Sequence, residues 1–83
     1  MATSEAKRNR ALGEWVAAKK GLTGQAVDDM IGSVIAADFQ EAGDEDVYRK
    51  LRAELDASVS EAEIRAKMRE CLQAAVDQVT KKA

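Results

Sequence analysis

Asp38-Phe39-Gln40-Glu41-Ala42-Gly43-Asp44-Glu45-Asp46-Val47-Tyr48-Arg49-Lys50-Leu51 lies near the middle of the 83-residue chain and separates two apolar helical patterns. Gly43 suits the left-handed backbone conformation that ends a helix. Asp44, Glu45 and Asp46 follow it with negative charge, where the next helix presents unpaired N–H groups and the positive end of its dipole. One helix therefore stops and another starts within a few residues. The two must fold back on each other, and the chain on either side reads as more of the same architecture.

Upstream, Ala11, Leu12, Trp15, Val16, Ala18 and Leu22 recur at spacings of three and four and define one apolar face. Arg8, Arg10, Glu14 and Lys19 are assigned elsewhere on that helix. Met1 to Ala6 is small and polar and is expected to fray. Lys19 and Lys20 suit a last turn and Gly21 a stop. Thr23 is the expected N-cap of the second helix, with Leu22 and Val27 spaced as a hydrophobic staple. Val27, Met30, Ile31, Val34 and Ile35 form the most apolar stripe, so this helix is expected to be central. Gly32 within it predicts close approach of a neighbour. Asp38, one turn beyond Val34, is placed to accept hydrogen bonds from the start of the third helix.

Downstream, Val47, Tyr48, Leu51 and Leu55 give the third helix a short stripe. Glu45 with Arg49 and Asp46 with Lys50 are acid-before-base pairs at i, i+4. Ser60-Glu61-Ala62-Glu63 matches a capping box, with Val59 and Ile64 as its staple. Ile64, Met68, Cys71, Leu72, Ala75, Val76 and Val79 follow on one face, and Glu61–Arg65 and Glu63–Lys67 are further pairs. The spacing predicts helices near residues 6–20, 24–41, 45–57 and 61–80 in one domain: an all-α four-helix bundle with short, antiparallel connections. Val34, Ile35, Leu51, Leu72 and Trp15 are expected at its core.

Composition agrees. There is no proline, aromatics are 4% of residues, and the net charge is −2. That near balance gives no electrostatic case for nucleic acid or an anionic membrane. No apolar run approaches the ~20 residues that span a bilayer, and the N-terminus lacks a signal-peptide segment. The lone Cys71 permits no internal disulfide and is read as a buried structural thiol in a reducing compartment. The protein is expected to be soluble, cytoplasmic and monomeric.

Chemistry is marked by what is missing. There is no histidine, no Walker-type glycine loop and no EF-hand spacing among the acidic residues. No catalytic residue, metal site or required cofactor is expected, and the chain is not read as an enzyme. One grouping stands out. Trp15 follows Arg8 and Arg10, and Arg49 with Lys50 forms a second basic spot. An aromatic ring with cations nearby can stack adenine and hold phosphate. The same residues also fit a core tryptophan beneath a solvated basic face, and both readings stay open.

Three segments, Arg8-Asn9-Arg10-Ala11-Leu12-Gly13-Glu14-Trp15, Gly43 to Leu51 and Ile64-Arg65-Ala66-Lys67-Met68, resemble those of the zeta subunit of alphaproteobacterial F-type ATP synthase. Their order and spacing agree from Lys7 onward. The resemblance implies a four-helix bundle that binds the catalytic F1 sector at the cytoplasmic face of the inner membrane and restrains its ATP hydrolysis. It also implies a response to ADP or ATP, for which Arg8, Arg10, Trp15, Arg49 and Lys50 are the candidate residues. Typical members carry a longer charged segment ahead of the Arg-Asn-Arg motif, and that segment is associated with inhibition. Here only Met1 to Lys7 precede it, so the sequence reads as a short N-terminal variant expected to inhibit weakly or not at all. Two other readings are a small adenine-nucleotide-binding module without F1 inhibition and a helical interaction protein with another partner.

Overall fold

A computed structural model describes residues 3–38 and 44–81. Among them the chain forms an all-α four-helix bundle: α1 Thr3–Lys20, α2 Gln25–Ala37, α3 Glu45–Glu54 and α4 Glu61–Lys81. The helix stop expected at Gly43 and the extension of the second helix to residue 41 lie outside the described residues. The acidic triplet does open α3, which begins at Glu45.

The local stops and starts follow from backbone chemistry. α1 ends in paired reverse hydrogen bonds, Leu22 N–H to the Ala17 carbonyl at 2.9 Å and Gly21 N–H to Ala18 at 3.2 Å. Gly21 has φ 72°, the left-handed conformation this ending requires. At the start of α2 the expected Thr23 cap is replaced by Gly24, whose φ of 61° and ψ of −133° suit glycine. The turn is thus made by backbone freedom, without a side-chain cap. α1 begins at Thr3, ahead of the expected Ala6. α3 ends at Glu54, short of the expected Ala57, because Leu55 turns extended at ψ 156°. Asp56 then accepts from the Ser58 backbone and hydroxyl, while Arg52 donates to the carbonyls of Asp56 and Val59 at 2.6 and 2.5 Å. The Ser60 hydroxyl caps α4 by accepting the Glu63 N–H at 3.1 Å, and the staple residues Val59 and Ile64 are both buried.

The central helix is α1, not α2. It packs against both α2 and α4, while α3 spans α2 and α4 through lighter contacts. The reason is the width of its buried surface. Arg8, Asn9, Leu12, Gly13, Val16 and Ala17 are buried, and Ala11 and Trp15 half-buried. At 3.6 residues per turn they cover most of the circumference. Ala18, expected on the apolar face, is exposed. Gly13 makes the close approach that was expected at Gly32. A Cβ on Gly13 would lie 2.6 Å from the Ile31 Cα, whereas one on Gly32 would meet nothing within 4 Å.

The core joins Leu12, Val16 and Ala17 to Met30, Val34, Val47, Leu51, Leu55, Val59, Ile64 and Met68. Of the expected core residues, Val34 and Leu51 are fully buried. Ile35, Leu72 and Trp15 are only half-buried, because each sits at the edge of its stripe. Cys71 is also half-buried rather than enclosed, packed against the core from outside. Its thiol is pushed upward in pKa, chiefly by desolvation. Val76 and Val79 are exposed and lie outside the core cluster.

Candidate functional site

Two polar clusters lie on this frame. The first is built on Arg8, which the spacing of the apolar residues placed off the core face of its helix. Its side chain is instead 2% exposed and lies between two carboxylates. Nη1 donates to Asp44 at 2.7 Å, Nη2 reaches Asp38 at 3.5 Å, and Nε donates to the Asn9 Oδ1 at 3.0 Å. The Asn9 amide in turn donates to Asp38 Oδ2 at 3.0 Å. Asp38 follows the last residue of α2 and Asp44 precedes the first of α3. One guanidinium from α1 therefore ties together the two ends of the α2–α3 connection. Its flat, forked donor set suits two carboxylates in different directions. Asp38 accepts from α1 here, not from the start of α3 as its position suggested.

Beside this clamp is a cleft of about 190 Å³ lined by Arg8, Asp44, Arg65, Met68, Arg69 and Leu72. Arg65 crosses from α4 to α3. It meets Glu45 at 2.9 Å and Glu61 at 3.3 Å and lies 3.9 Å from the centre of the Tyr48 ring. The same hydrogen bond and charge hold Glu45 below the usual carboxylate range and raise Arg65 further. The expected Glu61–Arg65 pair is present. Glu45 is drawn to α4, and Asp46 is met by Arg49 one turn on. The second oxygen of Asp46 is buried without a hydrogen-bond partner among the described residues, and Asp46 lies in the first turn of α3, where the helix dipole favours negative charge.

The second cluster surrounds Trp15. Two cations approach its ring, Lys19 from α1 at 5.9 Å and Lys67 from α4 at 5.8 Å. A shallow depression of about 210 Å³ beside it is lined by Trp15, Glu63, Ala66, Lys67 and Glu70. Both lysines are also ion-paired, Lys19 with Glu63 at 3.3 Å and Lys67 with Glu70 at 2.8 Å. The Glu70 hydrogen bond raises the Lys67 pKa.

The five sequence candidates are thus distributed. Arg8 is inside the clamp. Arg10 is exposed, 3.7 Å from Glu14. Trp15 lies at the α1–α4 edge. Arg49 is exposed on α3, and Lys50 bonds Glu54 at 2.6 Å, beside Lys20 at 2.7 Å. The cations nearest the indole are Lys19 and Lys67. Lys19 sits one helical turn from Trp15 and was legible as a neighbour. Lys67 is separated by most of the chain, and only the α1–α4 packing brings it there. Among the described residues, no group of three or more Cys, Asp or Glu is placed to hold a metal. No helix among them is long and apolar enough to cross a membrane.

Comparison with known proteins adds to the geometry. A chain solved by solution NMR is similar, with 40% identity and a TM-score of 0.84, over 98% of this chain and 95% of that one. No curated protein sequence matches. The family described as ATPase inhibitor subunit zeta matches residues 3–78, a span that takes in α1, α2, α3 and nearly all of α4. On that match the chain belongs to the ATPase inhibitor subunit zeta family.

Proposed function

We propose that this protein is a non-catalytic regulator of the F1 sector of ATP synthase, which it binds from the cytoplasm as a monomer to restrain ATP hydrolysis. The observation that carries this reading is the family match across all four helices. The fold is consistent with the role. A rigid bundle whose α2–α3 junction is fixed by Arg8 presents stable helix faces to a large partner. The deciding experiment is ATP hydrolysis by the cognate F1 sector with and without this protein, alongside direct binding. A fall in hydrolysis with saturable binding supports the reading. Unchanged hydrolysis with no binding at micromolar protein rejects it.

We propose further that ADP or ATP binds weakly at Trp15, with the indole as stacking platform. Arg8 is committed to Asp38 and Asp44, so the cations nearest the ring, Lys19 and Lys67, are better placed for phosphate. Because these lysines hold Glu63 and Glu70, phosphate must displace a carboxylate, which favours low affinity. ADP titration should quench Trp15 fluorescence and shift amides near Trp15 and Lys67. Lys67→Ala should weaken the response. Absence of any response at millimolar ADP rejects the site, and shifts confined to α2 reject its placement.

A further inference from the structure

Three guanidiniums line the cleft beside the clamp, Arg8 from α1 and Arg65 and Arg69 from α4, against one carboxylate, Asp44. Arg65 and Arg69 are four residues apart, so they share one side of α4, where like charges oppose each other. Arg69 is exposed and has no ion pair among the described residues. Arg65 is paired with Glu45 and Glu61, but both glutamates are exposed, so water screens the pairs, and neither lines the cleft. Met68 and Leu72 give the cleft an apolar floor, which favours charge pairing above it.

Arg8 is committed to its carboxylates in the free protein, but the two commitments are unequal. Asp38 is 19% exposed and also accepts from Asn9. Asp44 is 51% exposed, and among the described residues its carboxylate bonds Arg8 alone. Asp44 also has a second place to go. It is the N-cap of α3, yet it makes no side-chain cap bond, because its carboxylate is turned to Arg8. Released from Arg8, it can accept the backbone N–H of Asp46 or Val47, the bond that an aspartate at this position ordinarily makes. An anion in the cleft can therefore exchange with Asp44 while Asp38 and Asn9 keep the guanidinium in place.

Size and charge select the anion. At about 190 Å³ the cleft is smaller than the ~300–1,000 Å³ of sites that enclose whole small molecules, so it takes a group of a few atoms. A carboxylate offers one charge and two oxygens in a single plane. A phosphate dianion offers oxygens in several directions to guanidiniums on two helices, and its second charge offsets the carboxylate that it displaces. The cleft is also separate from the depression at Trp15. Arg65, Met68, Arg69 and Leu72 lie on one side of α4, and Glu63, Lys67 and Glu70 lie on the opposite side at 3.6 residues per turn.

We infer that the cleft between α1 and α4 is a phosphate site, in which the anion pairs with Arg69 and Arg65 and takes the place of Asp44 on Arg8. Phosphate is a product of the ATP hydrolysis that the proposed function restrains, but the site stands without that reading.

The test is amide chemical-shift titration of the full chain with inorganic phosphate at constant ionic strength, with chloride and acetate as controls. Phosphate should give saturable shifts at Arg8, Arg65 and Arg69 with half-saturation on the order of 1–10 mM. The Asp46 and Val47 amides should move with them as Asp44 caps α3. Arg69→Gln, at an exposed position, should weaken binding at least ~5-fold, and Arg69→Lys should weaken it less. Asp44→Asn should tighten it at least ~3-fold, since the competing charge is gone while Asp38 still holds Arg8. ADP separates the sources of the anion. Cleft shifts with phosphate alone mark a site for the free ion, and cleft shifts with both mark the phosphoryl group as the shared ligand; either supports the inference. Cleft shifts with ADP but not with phosphate overturn it. So do no saturable response at ~50 mM phosphate, an equal response to chloride or acetate, shifts on another face, unchanged affinity in Arg69→Gln, or weaker binding in Asp44→Asn.

Discussion

Asp38→Ala should unfold this protein more readily than any other single loss of an acidic side chain. The Arg8 side chain is 2% exposed and has three polar partners. Asp38, 19% exposed, serves both Arg8 and Asn9. Its removal strands the Asn9 amide and leaves the guanidinium a single carboxylate, Asp44, that is 51% exposed and shared with water. Breaking a buried ion pair costs about 3–5 kcal/mol, and an unmet buried donor about 1–3. The Arg8–Asp38 contact is long at 3.5 Å, and Asp44 remains. The expected loss is therefore about 2–3 kcal/mol, a large share of the stability of a chain this size. Urea unfolding followed by circular dichroism, with m near 1 kcal/mol/M, should show the midpoint fall by about 2–3 M. Arg8→Met removes the charge but keeps an apolar stem, so Arg8→Met/Asp38→Ala should lose at least ~1 kcal/mol less than the two single changes combined. A loss below ~0.5 kcal/mol in Asp38→Ala, or strict additivity in the double variant, would refute the clamp.

Three further outcomes follow from the same structure. Gly13→Ala should destabilise by about 1–3 kcal/mol, since its Cβ meets the Ile31 backbone at 2.6 Å, while Gly32→Ala should stabilise by up to ~1 kcal/mol in open space; thermal unfolding separates the two signs. Ser60→Ala should cost ~1 kcal/mol through loss of the 3.1 Å cap on Glu63, and an unchanged urea midpoint would show the cap to be idle. Glu54 accepts from Lys20 and Lys50, which holds its native pKa below the ordinary 4.5. The unfolded chain then takes up the proton first as pH falls, so its contribution is present above 4.5 and lost as pH drops through the lower native value. Glu54→Gln should flatten the acid side of the stability profile between about pH 3 and 5, and a parallel profile would count against the pairing.

The candidate site was legible only in part. Trp15 and its basic surroundings could be picked out because an aromatic among cations is visible in composition. The identity of the cations could not. Lys67 reaches the ring through α1–α4 packing, and Arg8, which looked available for phosphate, is taken by two carboxylates on either side of the α2–α3 connection. A charged side chain reads the same in sequence whether it meets water or a buried partner. The four-three spacing of α4 likewise joined core and surface residues in one pattern. At 100° per residue, Val76 and Ala75 are close in sequence yet lie on different sides of the helix.

The sequence by itself determined the features whose partners lie within about a turn. These are the glycine ending of α1, the Ser60 cap of α4, the Glu61–Arg65 pair and the acidic start of α3, together with the four-helix class and the family. Each depends on backbone geometry and side-chain reach along one helix, which spacing specifies. Only the tertiary structure decided which helix is central, which glycine is crowded, where Asp38 sends its carboxylate, and that Val76 and Val79 face outward. Those depend on which neighbour covers a given face, and the periodicity of a single helix carries the existence of an apolar side without naming what lies against it.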